Sequence, residues 1–325
     1  MVEAALPRSR VVRELIRDLR REDVGELAPL IAALVPEQPV WTPRGLLHWI
    51  DAEPARARLR NWVAEANGEI VGWATAALHW WTERGDVGWA WAGVREDGRG
   101  GGIGTRLFSL AEGHLLEAGA RKLETFAHEG SVGERFAQAR GYARARSERF
   151  SSLDPHAADL SRLPALERAK EAEGFRAVPL RAVRDRPHEL HALYAECEAD
   201  MPSDDAVTNL GYEEWLQETF ESPDLDDDSS FVVLAGGERT VALCFLEVDR
   251  DARVAENEMT GTLRDFRLRG LARLAKLTTI RSAAEQGIHE IWTGNDAENR
   301  GMLALNDELG YRPRIVRVQL ARAAS

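Results

Sequence analysis

Arg99-Gly-Gly-Gly-Ile-Gly104 and Arg267-Leu-Arg-Gly-Leu-Ala272 are two versions of one hexapeptide, 168 residues apart. Each follows an extended apolar run, residues 86–94 and 256–262, and each opens an amphipathic stretch closed by glycine, 104–118 before Gly119 and 270–286 before Gly287. The surroundings repeat too. Gly141-Tyr142 returns as Gly310-Tyr311, and Asn67-Gly68-Glu69 as Gly236-Gly237-Glu238, both at a spacing of 169. Three markers agreeing within one residue imply duplication of a whole domain, since a solenoid would repeat every ~20–50 residues.

Outward from the loops, the first copy reads as a short apolar stretch (11–19), a helix (23–34), a hairpin turning at Asn67-Gly68 (61–78), the strand, loop and helix already named, a strand (122–127), a helix (132–140) and a strand (143–150). The second copy runs in the same order: strand 177–183, helix 188–199, hairpin 231–248, strand 256–262, helix 270–286, strand 289–293, helix 299–309 and strand 315–320. Strands alternating with helices give an α/β chain with a mixed sheet. The expected domains are 1–154 and 176–325, joined by a helical connector, 155–175, that begins at the Asp154-Pro155 break and reads as helix over 158–173.

Composition narrows the function. Hydrophobic residues are 44% and charged residues 30% of 325, enough for two globular cores. The net charge of −12 disfavours nucleic-acid phosphates and anionic lipid and suits a cationic small molecule. Two cysteines, Cys197 and Cys244, make neither a disulfide framework nor a four-ligand zinc site. No apolar run approaches the ~18 residues of a membrane span, and Met1 to Arg10 lack a signal-peptide core. The expectation is a cytoplasmic protein, monomer or homodimer, with no metal, nucleic-acid or membrane partner. Hydrolase and metalloprotease motifs are missing. Trp89 and Trp91, two of eight tryptophans in the first copy, share a strand face and read as core.

The loops carry the chemistry. The first four N–H groups of a helix lack intrahelical partners, and with the helix dipole they make an anion site that glycines open to a phosphate. No lysine follows either loop, which excludes a P-loop, and the dinucleotide fingerprint fails because Ile103 or Thr105 stands where its third glycine belongs. What remains is Arg-x-x-Gly-x-Gly/Ala, twice.

That pattern resembles the pyrophosphate-binding motif of the GNAT acyltransferase superfamily, and the resemblance extends over nearly the whole chain as a tandem pair, similar in layout to mycothiol synthase-like two-domain acetyltransferases. It implies two GNAT domains, each a mostly antiparallel twisted sheet flanked by helices, with acetyl-CoA as co-substrate. Its pantetheine arm would lie beside the strand ends at Val94 and Thr262. The implied pyrophosphate contacts are Arg99, Gly100, Gly102, Ile103, Gly104 and Thr105 in the first copy. Arg267, Arg269, Gly270, Leu271, Ala272 and Arg273 are those of the second.

The family's later helix carries an Asn for pantetheine and a Tyr that protonates the leaving thiolate. The second copy keeps the first as Asn299 and has Asn306 in place of the second, while the first copy has Gly130 and Ala137 at corresponding places. A carboxylate often precedes the loop in this family. Glu258, with Glu256 on the same face, fills that place as candidate base, and Ala90 is its counterpart by spacing. Asp200, Asp204 and Asp205 fall in the segment that borders the family's acceptor site, and Asp224 to Asp228 read as a solvated loop. The reading is an acetyl-CoA-dependent N-acetyltransferase acting on a small cationic primary amine, with the second copy catalytic and Glu258 and Asn306 as its working residues. The alternative is a non-catalytic acyl-CoA-binding protein.

Overall fold

The computed structural model describes residues 14–81, 85–202 and 211–324. The first copy contains β1 (Glu14–Asp18), α1 (Val24–Leu34), α2 (Pro43–Ala52), β2 (Arg60–Ala66), β3 (Glu69–Leu78), β4 (Val87–Val94), α3 (Ile103–Glu117), β5 (Lys122–His128), α4 (Val132–Ala139) and β6 (Ala143–Leu153). The connector helix α5 spans Leu163–Ala172. The second copy contains β7 (Phe175–Pro179), α6 (Pro187–Glu198), α7 (Tyr212–Trp215) running into a π turn (Leu216–Phe220), β8 (Phe231–Ala235), β9 (Arg239–Asp249), β10 (Val254–Thr262), α8 (Leu271–Glu285), β11 (Glu290–Asp296), α9 (Arg300–Leu309) and β12 (Arg312–Ala323).

Several elements depart from the expected bounds for local reasons. The connector helix starts at Leu163 because Pro164 is tolerated only in a first turn. Pro179 ends β7 early, and a 3-10 turn takes over at Leu180–Ala182. Helix α2 went unread, although Thr42 caps it by accepting from the Gly45 N–H at 2.9 Å and Pro43 begins it.

The strands form one 12-stranded sheet in the order β1-β2-β3-β4-β5-β12-β6-β11-β10-β9-β8-β7. The copies exchange their last strands. β12 pairs antiparallel with β5 of the first copy, and β6 pairs antiparallel with β11 of the second. β6 and β12 pair with each other at the pseudo-dyad. Ion pairs stitch this seam: Arg146 to Asp296 at 2.7 Å, Arg149 to Asp307 at 2.6 Å and Arg317 to Glu148 at 2.8 Å. Joining the sheets removes two edges that would otherwise offer unpaired backbone groups. One core lies under α8 and α6, a second under α3, and a third, rich in tryptophan, between α1, α2 and β2–β3.

Candidate functional site

Each copy has a notch. β4 and β5 run parallel but pair only at Val87, Gly88 and Trp89, and residues 90–94 keep β3 alone as partner. β10 and β11 pair only at Val254, Ala255 and Glu256, and residues 257–262 keep β9 alone. Each notch ends at one glycine loop. Arg99 Nε donates to the Val94 carbonyl at 2.9 Å and Arg267 Nε to the Thr262 carbonyl at 3.0 Å, so the motif arginines tie each loop to its own strand.

Gly102 (φ 81°) and Gly270 (φ 75°) take the left-handed conformation at the helix N-caps, and no side chain caps either helix. The ladders open with Arg106 N–H to Gly102 and Leu274 N–H to Gly270. The amides of Ile103, Gly104 and Thr105, and those of Leu271, Ala272 and Arg273, therefore precede the first intrahelical bond. The Ile103 and Leu271 side chains turn into the core, so only their amides face outward. A Cβ on Gly100 or Gly102 would meet nothing within 4 Å, which leaves room for a ligand. In the second loop Leu268 holds φ 61° while wholly exposed, and Arg269 lies over the Phe266 ring at 5.6 Å. The Thr262 hydroxyl is buried without a partner at the notch.

The copies differ one step back along the strand. In the second copy the register shifts between Asn257 and Met259, so Glu258 is an extra, bulged residue. β4 has no such shift. Counting from the matched pairs Gly72–Val94 and Ala242–Thr262, Ala90 corresponds to Asn257 and Glu258 has no counterpart. This corrects the match of Ala90 to Glu258 by constant spacing. It also places Trp89 where Glu256 stands, and Ala77 where Glu247 stands.

Glu247, Glu256 and Glu258 share one face. Glu258 is surrounded by protein yet exposed to water, which marks a residue lining a cleft. Tyr194 on α6 donates to Glu258 Oε1 at 2.9 Å, and the Ser222 hydroxyl donates to Glu247 Oε1 at 2.9 Å. Burial pushes the Glu258 carboxyl up, the Tyr194 bond opposing it. Burial, then the charges of Glu258 and Asp224, push Glu247 up to about 8. Burial and the two neighbouring glutamates raise Glu256 well above the usual carboxylate range. Burial thus raises all three carboxyls, and repulsion between neighbouring glutamates adds to it at Glu247 and Glu256. The first copy reaches across: Gln38 bonds to Glu256 and accepts from Arg317 Nη1 at 2.7 Å, and Thr42 donates to Asp224 at 2.7 Å.

In the first copy this face is filled. Trp41, Trp49, Trp73 and Trp91 interlock, with ring centroids 5.5–6.5 Å apart. No carboxylate stands where Glu247 or Glu256 does.

Other candidates have local partners. Asn299 caps α9 by accepting from Met302 N–H at 3.2 Å, leaving its amide nitrogen available. Asn306 is buried, donates to Asn295 Oδ1 at 2.6 Å and has an unpartnered carbonyl oxygen. Asp200 pairs with Arg264 at 2.6 Å and Arg267 at 2.5 Å, bracing the second loop, and Arg264 and Arg267 lower its pKa to about 2. Asp204 and Asp205 lie outside the described residues. The stretch read as a solvated loop is not one at Asp224 and Asp226, which are buried; Asp226 accepts from the Ser229 N–H at 2.7 Å. Glu247 went unread because it sits near the end of β9, about 20 residues in sequence from the loop. A cavity of about 870 Å³ between the connector, α8 and α9 holds none of these carboxylates. Among the described residues no group of three or more His, Cys, Asp or Glu could hold a metal, and no helix is long and apolar enough to cross a membrane.

Two parted strand pairs, each ending in a glycine loop and an uncapped helix, define a tandem fold of the GNAT type. Residues 15–142 match the acetyltransferase (GNAT) family. Among solved structures, a tandem GNAT protein from the clavulanic acid biosynthesis pathway covers 96% of this chain and 99% of its own at 17% identity and TM-score 0.70. A GCN5-related N-acetyltransferase from Sphaerobacter thermophilus covers 98% and 97% at 18% identity and TM-score 0.66. A glucosamine N-acetyltransferase region of a fungal multi-domain β-N-acetylglucosaminidase covers 95% of this chain and 38% of that one at 15% identity and TM-score 0.62. Comparison with curated protein sequences finds no match. The family match thus falls on the first copy, and the whole chain has the tandem GNAT fold.

Proposed function

We propose that the protein is an acetyl-CoA-dependent N-acetyltransferase whose second copy transfers the acyl group to a small cationic primary amine. The observation that carries this is the meeting, in the second copy alone, of a notch and helix start with the bulged Glu258 and its two neighbouring glutamates. Acetyl-CoA supplies an acyl group activated as a thioester. The amides of Leu271, Ala272 and Arg273 hold the pyrophosphate, and Asn299 and the Thr262 strand end hold the pantetheine arm. The acidic cleft attracts a cationic amine and Glu258 takes its proton, leaving the nitrogen free to attack. A thiolate leaves readily, free thiols having pKa near 8.5, and water protonates it. Asn306, one of whose amide N–H groups donates to Asn295 Oδ1, fixes Asn295 on β11. The first copy binds a CoA molecule without catalysis and walls the acceptor cleft with Gln38 and Thr42. The two cysteines, free and buried, support a reducing cytoplasm.

The test is thiol release from acetyl-CoA over a panel of amines, with Glu258→Gln beside the wild type. The variant loses about 10²–10⁴-fold in kcat with its affinity for acetyl-CoA retained. Unchanged turnover removes Glu258 from the mechanism. Tight acetyl-CoA binding with no turnover on any amine favours a non-catalytic acyl-CoA-binding protein instead.

A further inference from the structure

Lys276 lies on the inner face of α8, 1% exposed, among the most completely buried large side chains of the described residues. None of the ion pairs of the described residues involves it. Its Nζ donates to Asn257 Oδ1 at 2.5 Å, and the Tyr311 ring lies 5.1 Å away. The Thr260 hydroxyl donates to the same Oδ1 at 2.8 Å. Because the ammonium has donors only, this pair fixes which way the Asn257 amide points. Its nitrogen then donates to Phe245 O at 2.8 Å and Met259 O at 3.2 Å. Phe245 and Met259 are the pair at which the register resumes after the bulge. The Asn257 side chain therefore bridges β9 and β10 across the irregularity, on the sheet face opposite Glu258.

We propose that Lys276 is a positioning residue for acyl transfer: through the Asn257 side chain it holds the bulge that presents Glu258 to the cleft.

The first copy supplies the internal comparison. At the same place on its helix stands Phe108, Ala90 corresponds to Asn257, Ala92 to Thr260, and the strand has no bulge. Lysine, amide, hydroxyl and bulge are present together in one copy and missing together from the other. The fold accepts an apolar residue at this helix position, since Phe108 is itself buried there. A buried ammonium is expensive to desolvate, and apolar replacements of buried charged groups are often neutral or stabilising. Stability therefore gives no reason to keep a lysine here, whereas the geometry of Glu258 does. Burial also lowers the pKa of Lys276, and the neutral amine would still donate to Asn257.

This inference rests on the transferase reading above, and the Lys276→Met variant tests the two separately. Its kcat in the thiol-release assay is expected to fall about 10–100-fold, the scale of a misplaced reacting group. Its KM for acetyl-CoA should change less than about threefold, because the phosphate amides lie at the far end of the strand, and its Tm should equal or exceed that of the wild type. A crystal structure of the variant should show the Asn257 amide turned from the Phe245 and Met259 carbonyls and the bulge relaxed. Turnover within twofold of wild type, or a bulge intact with both Asn257 bonds kept, overturns the proposal. So does a kcat loss matched by a fall in Tm, which would make Lys276 merely structural. If the wild type turns over no amine, the transferase reading fails, and the variant's crystal structure alone decides whether Lys276 holds the bulge.

Discussion

Replacing Glu247 with glutamine should stabilise the protein by an amount that grows with pH. Glu247 faces Glu256 across the β9–β10 ladder, with Glu258 and Asp224 close enough to repel it. Its carboxyl is pushed up to about 8, whereas an unfolded chain ionises it near 4.3. The folded pKa is the higher one, so the folded state keeps a proton that the unfolded state gives up. Its stabilising contribution is full below about 4.3 and is lost as pH rises toward about 8. Each pH unit in that window costs at most about 1.4 kcal/mol, or about 2.7 kcal/mol from pH 6 to 8. Water reaches the cleft, so roughly half of that is realistic, ~1.3 kcal/mol. With ~2.1 cal/mol/K of unfolding entropy for each of 325 residues, this corresponds to a Tm shift of about 2 °C. Glutamine mimics the protonated acid at every pH. Scanning calorimetry should find the gap in the variant's favour about 2 °C wider near pH 8 than near pH 6. Asp200, whose pKa is lowered, titrates below this window, and Glu53 and Glu218, raised chiefly by burial, act alike in both proteins. A gap that does not vary with pH, or a variant less stable at pH 8, would refute the reasoning.

Two further outcomes are open to measurement. Leu268→Gly should raise Tm by a degree or two, because the exposed leucine holds φ 61° at a cost of about 1 kcal/mol; no change would mean that the loop relaxes in solution. Gly270→Val puts a β-branched side chain at φ 75° on the face of the helix start and should raise the KM for acetyl-CoA at least about tenfold; a KM equal to that of wild type would place the pyrophosphate elsewhere.

What the sequence disclosed was local. Glycine at a left-handed helix cap and 3.6-residue periodicity after it are properties of short segments, so both loops and their helices could be read directly. What escaped reading depends on pairing between distant segments. The exchange of β6 and β12 leaves no trace in either strand's own composition. The bulge at Glu258 inserts one residue, and a constant spacing carried through β10 therefore matched Glu258 to Ala90. Glu247 joins the cluster only because β9 lays it opposite Glu256. Gln38 and Thr42 reach the cleft from the other copy, across more than 180 residues of sequence in the case of Thr42 and Asp224. Asp200, read from its segment as bordering the acceptor, has the loop arginines as partners, a pairing that its sequence position does not reveal.

The central claim is that the second copy assembles an acyl donor and an ionisable glutamate in one place. A crystal structure with bound acetyl-CoA tests it most directly. The account predicts density for the donor between β10 and β11, its phosphates on the first turn of α8 and its thioester beside Glu258. A second notch left empty at saturating ligand, or a thioester remote from Glu258, would contradict it.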